Sequence, residues 1–317
     1  MQNEQVRDSR SLFASLALTT ALLTIGLIVF GAVVRVTDSG LGCGNDWPLC
    51  DGRIIPPLDN LTAWIEWLHR LFAALIGLFG LATLVAALRA YRTQNRFVLT
   101  ATVVAAGLFV LQSALGAFVV LFDLPPTMVT MHLGTAMLLL GALLCGVVGS
   151  RYIPQQTYTR NHVTLLVYAT TALSLVIILT GALVRGSGAT LACLDWPLCN
   201  GEIFPFQQGT LQTVHMMHRF AVGALGLTLL LLVWYVWQER RENRVSRALA
   251  VGALIVYLMQ ALVGALFVLT EAAAIWGAAH VGLAATTWGL LVALSVVETL
   301  NIQERGAVPL TYSTSAT

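Results

Sequence analysis

Lysine is absent from this chain of 317 residues, and all 17 basic residues are arginine. We read that bias as genome composition, not mechanism. Charge of either sign is scarce: charged residues make up 10% of the sequence and hydrophobic residues 57%. A soluble domain usually carries about 25% charged residues, so the shortage excludes an ordinary water-soluble globule and marks an integral membrane protein. The formal net charge of +2 says little by itself, and no nucleic-acid partner is expected. No cleavable secretory signal is expected either. The first apolar run, residues 12–34, is too long for a signal core and has no small-residue cleavage site after it. It reads as a retained first helix behind a polar stretch with Arg7 and Arg10. Finally, none of the five cysteines forms the C-x-x-C of redox motifs or zinc ribbons.

What the sequence has in quantity is long apolar runs. A helix needs about 20 apolar residues to cross a bilayer, and eight runs qualify: 12–35, 63–88, 97–122, 127–149, 162–185, 212–237, 247–270 and 273–297. Backbone groups in lipid must be satisfied within the segment, which favours an all-α protein of eight transmembrane helices. Arginine asymmetry sets the orientation. Arg7, Arg10, Arg89, Arg92, Arg96, Arg151, Arg160, Arg240, Arg241, Arg244, Arg247 and Arg305 fall on one side; Asp38, Asp46, Asp51, Asp59, Asp123, Asp195, Glu202 and Glu271 fall on the other. Both termini are therefore expected in the cytoplasm, with the long loops 36–62 and 186–211 facing outward.

The second half repeats the first. "GAVVRVTDSGLGCGNDWPLCDGRIIPP" at 31–57 matches "GALVRGSGATLACLDWPLCNGEIFPF" at 181–206. "HRLFAALIGL" at 69–78 matches "HRFAVGALGL" at 218–227, "LQSALGAFVVL" at 111–121 matches "MQALVGALFVL" at 259–269, and "MHLGTA" at 131–136 matches "AHVGLA" at 279–284. The offset drifts only from 150 to 148. Each half has an even number of spans, so the halves share an orientation and a pseudo-twofold axis along the membrane normal is expected. Two four-helix bundles follow: residues 12–149, a linker 150–161, and residues 162–297.

Four of six histidines sit at matched positions: His69 with His218, and His132 with His280. Each falls six or seven residues inside the outward end of an even-numbered helix, roughly 10 Å deep at 1.5 Å per residue. Buried polar groups in a membrane default to function. Two imidazoles from two helices of one bundle can clamp a haem iron from opposite faces, giving one haem site per half; plain interhelical hydrogen bonding is the alternative. Zinc would want further ligands, and none is evident, although Glu66 is near. His162 is given no ligand role and His215 little.

Glu66 lies three residues before His69, on the same helix face, while the second half has His215 there. That asymmetry suggests that one site does chemistry and the other serves it; an interfacial, solvated Glu66, or one paired with Arg70, is the alternative. Arg35, Arg185, Arg70 and Arg219 suit carboxylate recognition or interfacial snorkelling. Gln112 and Gln260 suit packing or interhelical hydrogen bonds. Cys43 with Cys50, and Cys193 with Cys199, frame Asp-Trp-Pro-Leu in outward loops, where disulfides are permitted. Each pair could close a ring that carries Trp over the bundle mouth, stay reduced, or exchange with a partner. Cys145 reads as an inert core thiol.

Taken together, "GLGCGNDWPLC", "EWLHR", "MHLGTA", "LACLDWPLC", "MMHR" and "AAHVG", spread over about residues 12–297, make the chain resemble the haem A synthase family. The resemblance implies an oxidoreductase of the cell membrane that converts haem O to haem A. One ring methyl is oxidised stepwise to a formyl group through a hydrated aldehyde. It further implies His69 and His132 at the substrate haem, Glu66 as the catalytic acid, His218 and His280 as ligands of a haem b cofactor, and disulfides Cys43–Cys50 and Cys193–Cys199. Haem sites near the extracytoplasmic face, an unidentified electron acceptor, and haem O synthase and terminal oxidase assembly factors as partners complete the expectation. A non-enzymatic di-haem cytochrome or a haem carrier is the alternative.

Overall fold

The computed structural model describes residues 2–154 and 157–302, with the backbone alone for 2–8. Arg305, part of the orientation argument, and the side chain of Arg7 lie outside the described residues. The elements are α1 (Gln2–Val36), α2 (Leu61–Tyr91), α3 (Arg96–Leu121), α4 (Pro126–Arg151), α5 (His162–Gly186), a short 3₁₀ turn Ala189–Leu191, α6 (Thr210–Glu239), α7 (Arg244–Leu269) and α8 (Ala274–Asn301). All eight α-helices are long and apolar enough to cross a membrane. Among the described residues no strand forms, only isolated bridges such as Cys50–Arg53 and Cys199–Glu202. The protein is all-α and membrane-embedded. Helix α1 begins ten residues before the apolar run at 12, because its polar start continues the same helix.

Side-chain chemistry fixes the helix starts. The first N–H groups of a helix lack intrahelical acceptors. Asn60, Asn95, Asn161 and Asn243 accept from them at the N-caps of α2, α3, α5 and α7. α4 and α8 follow tight turns instead. Asp123 and Leu124 (φ 61° and 58°), and Glu271 and Ala272 (φ 54° and 65°), adopt left-handed backbone. There Leu124 N–H closes on Val119 O and Ala272 N–H on Phe267 O, each at 2.8 Å.

Neighbour relations close two rings, α1–α2–α3–α4 back to α1 and α5–α6–α7–α8 back to α5. The rings meet where α4 touches α5 and α8, and α1 touches α8. The seam is apolar, with Met137, Leu140, Ala285, Trp288 and Val292 at its centre. Trp288 Nε1 donates across it to Met137 O at 2.8 Å, so its buried N–H is satisfied. At the end away from the disulfides, Glu298 is 1% exposed. It accepts from Arg240 (2.7 Å), Thr164 (2.7 Å) and Tyr158 (2.9 Å). Such a buried carboxylate is tolerated because its lone pairs are filled. Burial, and then the Glu298 charge, push the Tyr158 hydroxyl above its ordinary pKa. His162, also at this end, pairs with Glu239 at 2.6 Å, away from the other histidines.

Candidate functional site

The four matched histidines stand at one level below the disulfide loops. His69 and His218 are eight residues from the starts of α2 and α6, and His132 and His280 six from those of α4 and α8. That is about 12 and 9 Å along the axis, so the depth is slightly less uniform than the sequence suggested. Each ring leans on a glycine of the preceding helix. A Cβ added at Gly31, Gly116, Gly181 or Gly264 would come within 3.1, 3.1, 3.1 or 2.9 Å of Cε1 of His69, His132, His218 or His280. The glycines let backbone and imidazole approach and fix the ring positions. Within each half the two imidazoles are near enough to interact electrostatically, His69 with His132 and His218 with His280.

The hydrogen bonds of the two pairs differ. In the second half, Thr180 Oγ1 gives its hydrogen to Ile177 O at 2.8 Å, so at 2.9 Å it accepts from Nδ1–H of His218. His280 Nδ1–H donates to Gln260 O at 3.0 Å. Both rings are thereby held as the tautomer whose Nε2 lone pair is open. This is how proteins orient metal-binding histidines. In the first half Phe30 stands at the position of Thr180 and meets His69 edge-on, 5.9 Å between centroids. Nδ1 of His69 is buried without a partner, whereas the His132 ring turns to the Gln112 backbone, the repeat counterpart of Gln260, though Nδ1 forms no hydrogen bond of full geometry there. Nε2 of His132 contacts the Gln112 amide nitrogen at 3.2 Å. The repeat does not extend to Thr180, so no sequence signal marked it; the glycines lay within the repeated strings.

Glu66 is 3% exposed, which removes the solvated alternative. Its Oε2 accepts from Cys43 N–H at 2.9 Å and its Oε1 from Arg70 Nη2. The pairing with Arg70 weighed from the sequence is therefore present. Arg70 Nη1 reaches on to the carbonyls of Asp46 (3.0 Å) and Leu49 (2.9 Å). Opposite, Arg219 binds the carbonyl of Leu198 and contacts His215 Nε2 at 3.4 Å. His215 Nδ1 is buried and unpartnered.

Cys43–Cys50 and Cys193–Cys199 are disulfides. All four cysteines have no exposed surface, so neither bond offers a sulfur to an incoming thiol while its loop is closed. Inside each ring an aspartate holds the turn. Asp46 accepts from Gly52 N–H at 2.8 Å, and Asp195 from Asn200 N–H at 2.5 Å and Gly201 N–H at 2.8 Å. Burial is the largest single influence and raises the Asp195 pKa, but the N–H groups of Gly201 and Asn200 together outweigh it and hold the carboxyl below its usual range. Trp47 and Trp196 are 49% and 50% exposed. Cys145 is a free thiol of intermediate burial in α4.

Arg35 and Arg185 come together where α1 and α5 end. Arg185 Nη2 donates to Arg35 O at 3.2 Å and to Asp38 at 3.1 Å, while Nε of both arginines is buried without a partner. Among the described residues no group of three or more His, Cys, Asp or Glu could hold a bare metal ion. The donor set fits a haem better: two imidazoles per half for an iron, and orphaned guanidinium N–H groups for its carboxylates.

The fold and site define a polytopic membrane protein with paired intramembrane histidines under disulfide-closed loops. Comparison narrows this. The model of the cytochrome oxidase assembly protein family, COX15-CtaA, matches residues 14–292, and the chain belongs to that family. It is 33% identical over 219 residues to a Heme A synthase of Geobacillus thermodenitrificans, covering 66% of this chain and 67% of the relative. It is 32% identical over 289 residues to one of Symbiobacterium thermophilum, covering 87% and 92%.

Proposed function

We propose that this chain is a haem A synthase of the cell membrane, an oxidoreductase that converts haem O to haem A. The first half holds the substrate at His69 and His132, and the second half holds a resident haem b at His218 and His280. The observation that carries the division is the difference in imidazole anchoring. A permanent iron is best served by rings whose Nδ1–H is fixed by Thr180 and Gln260 and whose Nε2 is open. A substrate that must leave is better served by a pair with an unanchored ring, as at His69, where Phe30 stands in place of the threonine hydroxyl. In this reading Arg35 and Arg185 take the haem carboxylates, which would satisfy their orphaned Nε–H groups.

The resident haem, when bound, supplies one-electron redox chemistry. The chain's own residues orient and exclude. Turning a ring methyl into a formyl group releases four electrons and four protons and takes up one water oxygen. The electrons go to an acceptor outside the chain. Stepwise oxidation passes through an alcohol and a hydrated aldehyde that loses water. Among the described residues Glu66 is the one buried carboxylate beside the histidines of the first half, and its role is to take protons as water is drawn to the methyl. Arg70 and Cys43 N–H hold that carboxylate in place. The disulfide loops hold their ends of the bundles closed. We place both haem sites near the extracytoplasmic face, both termini in the cytoplasm, and the halves about a pseudo-twofold axis, on the strength of the arginine distribution and the repeat. Haem O synthase and terminal oxidase assembly factors are the proposed partners.

The test is expression in cells that make haem O but no haem A, followed by extraction of the haems. Haem A or its hydroxylated precursor is expected. A folded, haem-loaded chain that yields neither would leave a di-haem cytochrome or a haem carrier in its place.

A further inference from the structure

Beyond His69 and His132, away from the disulfide end, the first half encloses a cavity of ≈ 220 Å³ among α1, α2, α3 and α4. Its lining on α2 begins at Ile76 and ends at Leu84, and on α4 it includes Leu139 and Leu143. That is about 10 to 22 Å along α2 from His69. Thr20, Thr24, Thr83 and Thr102 also line it, yet they present no free polarity. Each hydroxyl donates to, or stands within 2.8 Å of, a carbonyl of its own helix, and Thr20 and Thr83 pair at 3.0 Å. The wall left for a ligand is therefore hydrocarbon.

The second half fills the matched space. By the offsets of the repeat, Gly80 corresponds to Leu229, Thr83 to Leu232 and Ala106 to Leu254. Leu229 and Leu232 are fully buried core residues there, whereas a Cβ at Gly80 would meet nothing within 4 Å. Two further lining residues, Leu81 and Val110, are 58% and 69% exposed. They flank a lateral mouth between α2 and α3 toward the bilayer.

We propose that this cavity takes the isoprenoid tail of the haem substrate, and that its filling in the second half is what admits only a tail-less haem there. The inference rests on the division of labour proposed above. With its carboxylates at Arg35 and Arg185, a ring held at His69 and His132 turns its opposite edge, which bears the tail, toward this cavity. On the scale of an engineered apolar cavity of about 150 Å³ that takes up benzene, the space holds about two isoprene units. Lipid is as apolar as leucine, so the selectivity comes from packing and shape rather than from escape from water.

The experiment gives the first half the residues of the second: Gly80→Leu with Thr83→Leu in the full chain, loaded with its resident haem in detergent. Binding of haem O and of protohaem, which lacks the tail, is titrated at the first-half site. Haem O affinity is expected to fall about tenfold with protohaem unchanged. An unchanged preference for haem O overturns the inference, and so does equal loss of both ligands. If the double variant fails to hold its resident haem, Ala106→Leu and a series of haems with one, two or three isoprene units on the unaltered protein decide the matter. Affinity that rises to two units supports the cavity; affinity independent of length, as a site that admits any bilayer acyl chain would give, sinks it. Haem O binding that His69→Ala leaves untouched would instead refute the substrate role of the first half.

Discussion

The two halves put the same histidines on the same helices and surround them differently. In the second half Thr180 and Gln260 fix both rings, Leu229 and Leu232 fill the space beyond, and His215 stands beside Arg219. In the first half His69 lacks its anchor, a cavity lies beyond the rings, and a buried carboxylate, Glu66, stands beside Arg70. On the function proposed above, the second half would keep its ligand and the first would exchange it.

The comparison breaks most visibly at the histidines. His218→Ala or His280→Ala should remove the resident haem spectrum almost entirely, and conversion with it. His69→Ala or His132→Ala should keep that spectrum and lose conversion alone. Loss of the spectrum from all four variants would mean that the halves are not specialised. Next in size is the acid: Glu66→Gln keeps an acceptor for Cys43 N–H but cannot take a proton, so product formation should drop by about 10²- to 10⁴-fold. His215→Gln should leave turnover nearly unchanged, and matched losses at the two positions would end the argument from asymmetry. Thr180→Val should weaken resident haem binding by about 10- to 100-fold, read by haem retention on dilution, whereas Phe30→Leu at the matched position should not affect it. The smallest contrast concerns the loops. Replacing either cysteine pair with alanine should cost roughly 2–3 kcal/mol in thermal or denaturant unfolding. Loss of the first pair should also slow conversion, because Cys43 N–H holds Glu66. Equal kinetic effects from the two pairs would show that this hydrogen bond has no functional weight.

Much of the fold was legible because lipid leaves a chain few choices. Each of the eight runs became a helix, with ends moved where polar chemistry carried it on: α1 through its polar start, and α8 to Asn301 as Glu298 found Arg240. The four histidines and Glu66 were legible because polar residues in such runs are rare. The sequence left open how the tryptophans of the tags would sit on their loops. Nothing in Asp-Trp-Pro-Leu says which way a ring will face once Arg70 and Arg219 have clasped the neighbouring carbonyls.

The sequence by itself determined the eight spans, the helices that carry the histidines and the divergence of Glu66 from His215, because hydrophobic length and residue identity are local properties. Tertiary structure alone decided which imidazole nitrogens are held, which glycine each ring leans on and where a cavity stays open. Those depend on atoms brought together from different helices. Thr180 is an ordinary helix residue until His218 lies 2.9 Å away, and Gly80 is an ordinary glycine until no neighbour fills the space beside it.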